Sequence, residues 1–118
     1  MMLKVVLLLC VLLHWWPSPA HSKTYIVGGS SGWSYHVSGW VDNKRFHSGD
    51  ILVFSYVPRY DSVVAVDKWG YDNCTWPAKG KTYDSGLDKI VLRKGPNYFV
   101  SGYWGRCYNG EKIAAIAA

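Results

Sequence analysis

The chain of 118 residues is long enough for one domain and too short for two of ordinary size. It carries 13 Lys and Arg against 8 Asp and Glu, a formal net charge of +5, with no basic run beyond the pairs Lys44-Arg45 and Arg93-Lys94. That pattern excludes a dedicated nucleic-acid groove and favours contact with acidic surfaces, such as uronic-acid polysaccharides or anionic membrane faces.

The first predicted element is a secretory signal peptide over residues 1–20. Lys4 supplies a positive start, Val5 to Leu13 an apolar run, and Ser18-Pro19-Ala20 a small-residue cleavage pattern. The run is too short for a good membrane span, and an uncleaved signal anchor is the alternative. Cleavage after Ala20 leaves one domain, residues 21–118, with twelve basic and eight acidic side chains, a net charge of +4. The last residues, KIAAIAA, offer no tail for a lipid anchor, so a freely secreted, extracellular, monomeric protein is expected.

Short strands then follow at frequent intervals. They are expected at Thr24–Val27, Ile51–Val57, Ser62–Val66, Asp88–Leu92, Tyr98–Ser101 and Lys112–Ile116. Each is rich in β-branched or aromatic residues and bounded by Gly, Pro, Asn, Asp or Ser. One short helix fits around Val66 to Asn73. No window sustains the 3.6-residue apolar period of a longer helix. About seven strands in a hundred residues predict an all-β fold, an antiparallel Greek-key β-sandwich with a short helix.

Three cysteines are present, and Cys10 leaves with the signal. Cys74 and Cys107 are most simply a disulfide in an oxidising compartment; a thiolate metal ligand is the alternative. Asn73-Cys74-Thr75 is a glycosylation sequon whose middle residue is one of these cysteines. His36 and His47 fall in irregular stretches and read as solvated residues. His21 would become the terminal residue, where an amine and imidazole can chelate copper, although a frayed end is the plainer reading.

Four segments together resemble the phytocyanins of the plantacyanin, or basic blue, type: YIVGGSSGW, GWVDNKRFHSGDILVFSY, VVAVDKWGYDNCTWPAKGKTYDSGLDKIVL and GPNYFVSGYWGRCYNGEKIAA. The resemblance runs from about Thr24 to Ile116 and implies a cupredoxin-like sandwich. Members with metal hold one type 1 copper and carry single electrons, using two histidines, a cysteine and a weak axial methionine or glutamine. Soft thiolate and imidazole donors suit both copper oxidation states. The family places one His before the VVxV strand and the others at Cys-x4-His-x4-Met. On this chain those positions fall on Asp61, Ser101, Arg106 and Glu111, and the family's disulfide cysteines fall on Cys74 and Cys107. The resemblance therefore implies a retained disulfide and a copper site with all four ligands replaced.

Arg106 stays protonated and repels a cation, Ser101 offers no thiolate, and Asp61 and Glu111 are hard oxygen donors. No cofactor is expected, with copper as the alternative. The replacements are expected to form a charge cluster in which Arg106 pairs with Asp61 and Glu111 and holds both ionised. That expectation disfavours an enzyme, because a general acid of a glycosidase-like carboxylate pair needs a raised pKa. Tyr103, Trp104 and Arg106 are a candidate recognition surface for an extracellular partner, an acidic cell-wall polysaccharide or a protein. The expected function is a copper-free binding or interaction module of the plant extracellular matrix. The alternative is an electron carrier of the blue-copper type.

Overall fold

The computed structural model describes residues 22–78 and 80–118. The expected signal peptide, its cleavage site and His21 lie outside the described residues.

Seven strands form two sheets. Strand β1 is Thr24–Ile26, β2 Ile51–Ser55, β3 Val63–Val66, β4 Thr82–Tyr83, β5 Leu87–Val91, β6 Gly95–Ser101 and β7 Lys112–Ala117. Two short α-helices, α1 (Lys68–Asn73) and α2 (Trp104–Tyr108), and two 3-10 turns, Gly29–Ser31 and Val37–Val41, complete the described elements. The three-stranded sheet has the order β1-β2-β5 and the four-stranded sheet β4-β3-β6-β7. The expected cupredoxin-like sandwich is present, with one correction: β1 runs parallel to β2, so the sandwich is not wholly antiparallel. The reason is local. The Lys23 N–H donates to Asp50 Oδ1 (2.9 Å) and the His47 N–H to Oδ2 (2.8 Å), so the buried Asp50 carboxylate fastens the start of β1 beside the start of β2.

Strand β3 shows how the sequence makes two layers. Its four residues, VVAV, are apolar throughout, as a strand covered on both faces requires. Val63 points into the main core with Val27, Trp33, Leu52, Phe54, Phe99 and Ile113. Trp33 meets Phe54 edge-on at 5.0 Å, and Phe54 meets Phe99 at 5.2 Å, a chain of aromatic contacts between the sheets. Val64 points the other way, into a second cluster with Val100, Cys74 and Cys107. Helices α1 and α2 cover that outer face, and the Cys74–Cys107 disulfide joins them. Helix α1 starts at Lys68, two residues later than expected, because Asp67 caps it: its Oδ1 accepts from the Gly70 N–H at 2.8 Å.

Asn73 is exposed at the last turn of α1, and its side-chain amide donates to the Trp69 carbonyl (2.9 Å). The disulfide spans 33 positions of sequence. Replacing both cysteines with alanine is expected to lower the unfolding free energy by about 3 to 4 kcal/mol in the chain-entropy account, read from denaturant midpoints at constant slope.

Candidate functional site

The four positions singled out in sequence converge at one end of the sandwich. Asp61 precedes β3, Ser101 ends β6, Arg106 sits in α2, and Glu111 precedes β7. Backbone pairing forces this meeting. Val63 lies opposite Ser101 in the sheet, the Ser101 N–H donates to the Glu111 carbonyl (2.9 Å), and the Glu111 N–H donates to the Arg106 carbonyl (3.0 Å). The loop from Ser101 to Glu111 thus closes on itself, with α2 as its tip.

Two glycines allow the closure. A side chain at Gly102 would meet Ser62 Oγ at 2.1 Å, so glycine lets β6 leave the sheet beside Ser62 without displacing its hydroxyl. Gly110 adopts a left-handed conformation (φ 84°) with the His36 backbone packed against it, and the His36 N–H donates to the Asn109 carbonyl (3.0 Å).

Asp61, Ser101 and Glu111 are all buried. The Ser101 hydroxyl donates to Asp61 Oδ1 (2.7 Å) and accepts from the Tyr103 N–H (3.1 Å), so its hydrogen bonds are internal. Asp61 Oδ1 also accepts from the Ser62 N–H (2.8 Å). Arg106 reaches inward between the two acids, its guanidinium 3.8 Å from Asp61 Oδ2 and 3.6 Å from Glu111 Oε1. On its outer side it stacks over Tyr35, 5.1 Å from the ring centre.

One expectation is corrected here. Arg106 does not hold both acids ionised. Glu111 has no exposed surface and neither of its oxygens has a hydrogen-bond partner of normal geometry. Burial first, then hydrogen bonding and repulsion from the Asp61 carboxylate, push its pKa up to about 8; Ser101 and Arg106 only partly oppose this. At 3.6 Å the guanidinium is too far for a true hydrogen bond, and its own side chain is 31% exposed, so water weakens its pull. The raised pKa meets one requirement of an acid catalyst but does not make one. A general acid has to reach a substrate atom, and Glu111 is completely enclosed.

The surface outside this cluster splits the expected Tyr103, Trp104 and Arg106 platform in two. Arg106 and Asp61 line a cavity of about 360 Å³ together with Trp33, Tyr56 and Tyr60. Trp104 stands apart on α2, exposed and edge-on to Tyr108 at 4.7 Å, while the exposed Tyr103 donates its hydroxyl to the Arg59 carbonyl (3.0 Å). Tyr35, Tyr60 and Tyr108 belong to this end of the molecule and were not among the expected site residues. The contacts that place them, over a guanidinium, in a cavity wall and along a helix, join residues far apart in the chain or in a helix without a sequence signature. His47 lies beside Asp50 at 3.9 Å, in the turn before β2.

The sequence matches the plastocyanin-like domain family over residues 20–111. The chain belongs to the phytocyanins, of the plantacyanin type. It is 46% identical to the basic blue protein of Cucumis sativus over 93 residues, covering 79% of this chain and 97% of that one. Among solved structures it is similar to cucumber basic protein, a blue copper protein, with a TM-score of 0.80, 45% identity, and coverage of 81% of this chain and all of the other. It is also similar to spinach plantacyanin, with a TM-score of 0.68, 45% identity, and coverage of 74% and 94%.

The phytocyanin copper calls for imidazole and thiolate donors, and the four residues at this end do not supply them. Their donors are oxygens, the guanidinium lies within 4 Å of both acids, and Cys74 and Cys107 are joined to each other. Among the described residues no group of three or more His, Cys, Asp or Glu side chains is placed to hold a metal ion.

The protonated Glu111 makes stability depend on pH. The folded chain keeps a proton up to about pH 8 that the unfolded chain releases near its ordinary value of 4.5. The stabilisation is full below pH 4.5, falls as pH rises through the window, and is gone above about 8. The loss across the window is expected to be on the order of a few kcal/mol, because one bound proton is worth about 1.4 kcal/mol for each pH step of one. Denaturant midpoints at pH 5 and pH 8 test this: Glu111→Gln is expected to flatten the difference, and an unchanged slope in the variant would contradict the assignment.

Proposed function

We propose that this phytocyanin is a secreted, copper-free binding module of the plant extracellular matrix. The observation that carries the reading is the ion cluster at the family's ligand positions. A guanidinium is held between two acids, and the one hydroxyl is bonded inward to Asp61. The arrangement replaces a cation with a fixed internal one. The leader over residues 1–20 directs secretion in this reading, and no helix among the described residues is long and apolar enough to cross a membrane. The protein acts as a monomer without catalysis. Its contact surface is the copper end, where Arg106 lines a cavity with the exposed Tyr60, and the exposed Tyr103 and Trp104 lie at the start of α2. Such aromatic faces beside a partly exposed cation suit a sugar or a protein loop.

Copper titration of the secreted, disulfide-intact protein tests the first half of the proposal. The expected result is no stoichiometric copper and no thiolate charge-transfer band. One tightly bound copper would sink the reading and favour an electron carrier. The variant carrying Asp61→His, Ser101→Cys, Arg106→His and Glu111→Met is expected to bind one copper and turn blue, because it restores the soft donor set on the same backbone. The second half is tested by retention on extracted cell-wall material. Trp104→Ala is expected to weaken retention by about tenfold, the usual effect of removing an exposed aromatic anchor. Unchanged retention would exclude this surface.

A further inference from the structure

Outside the copper end, residues of the edge strands β4 and β5 line one opening. It forms a cleft of about 520 Å³, and its polar walls include Lys81, Tyr83, Lys89, Arg93, Asn97 and Tyr98. Among the described residues no acidic one lines it. All three cations are exposed, and none is ion-paired among the described residues.

The three cations come from fixed backbone on different elements. Lys81 precedes β4, its carbonyl accepts from the Ala65 N–H of β3 (3.1 Å), and its ammonium lies over the Tyr83 ring at 5.3 Å. Lys89 sits at the middle of β5, opposite Val53. Arg93 follows β5 in a turn that Asn97 clamps from both sides: the Arg93 N–H donates to Asn97 Oδ1 (3.1 Å), and Asn97 Nδ2 donates to the Arg93 carbonyl (2.9 Å). Asn97 also donates to Gly95 and Ala115, so it positions Arg93 and has no donor left for a ligand.

We propose that this cleft binds an anionic linear polysaccharide of the uronic-acid class, with Lys81, Lys89 and Arg93 holding successive carboxylates. Unpaired cations along an opening without acids match repeated negative charge. A peptide added as a further strand fits less well. A lysine at the centre of a short edge strand discourages strand addition, and the other edge strand, β4, is only two residues long. The cleft shares no lining residue with the cavity at Arg106, so the two sites are separate and fail separately.

The test uses polygalacturonate as the probe, with the full chain secreted and its disulfide intact, measured by titration calorimetry and affinity electrophoresis. Binding is expected at low salt and is expected to weaken steeply as salt rises, because the cations are exposed. The combined variant Lys81→Gln, Lys89→Gln and Arg93→Gln is expected to weaken it by about tenfold or more. Removing the same charge elsewhere, by Lys23→Gln, Arg45→Gln and Arg59→Gln, is expected to leave affinity within about twofold. The substituted side chains are exposed, so equal thermal midpoints will show that the fold is kept. Four results would each overturn the proposal: no binding of polygalacturonate, equal weakening by the control variant, equal binding of the fully methyl-esterified polymer, or tighter binding of polyglutamate.

Discussion

The structure depends on a strand that is covered on both sides. β3 has four apolar residues, and each of its faces has to be buried. One face closes the aromatic core between the sheets. The other requires a second layer, which is why two short helices and a disulfide lie outside the four-stranded sheet. Once β3 and β6 are fixed in register, Asp61 and Ser101 lie at the same end of the sandwich, and the closed loop after β6 brings Arg106 and Glu111 to them. The character of that end is a consequence of how the strands pair.

Within this frame, the difference between a metal centre and an ion cluster reduces to solvation. A transition-metal ion is stabilised by soft donors at short range. A guanidinium is stabilised at longer range and keeps part of its contact with water. Arg106 keeps nearly a third of its side-chain surface and lies 3.6 to 3.8 Å from its two acids. One cation does not offset two buried carboxylates at that distance, and Glu111 takes up a proton. The cluster therefore carries less negative charge than its formula suggests, which lowers the cost of enclosing Glu111 completely.

Much of this was legible in the chain. The runs ILVFS, VVAV and KIAAI have the composition and spacing of strands, and they are strands. β4 has two residues and no apolar run, so it had no signal. Helix α2 has five residues with Gly105 among them, too short for any period to register. The parallel pairing of β1 with β2 is supported at its start by a buried carboxylate, Asp50, which sequence alone cannot distinguish from a turn residue. The convergence of Asp61, Ser101, Arg106 and Glu111 was legible only through the family pattern, because 40 positions separate Asp61 from Ser101. The protonation of Glu111 was not legible, since it depends on complete enclosure. Lys81, Lys89 and Arg93 look like ordinary surface charges until the sheet edges bring them around one opening.

The helix layer has a consequence for how the molecule opens. Helices of six and five residues lie well below the length at which a helix persists alone in water. Each exists because of the sheet beneath and the covalent link between them. Neither can loosen while the other stays docked without straining the link. The outer layer should therefore behave as one local unfolding unit, and its amides should exchange with solvent hydrogen together. Cys107 directly follows Arg106 and reaches the sheet through Val64 and Val100, so the ion cluster is as rigid as that single layer.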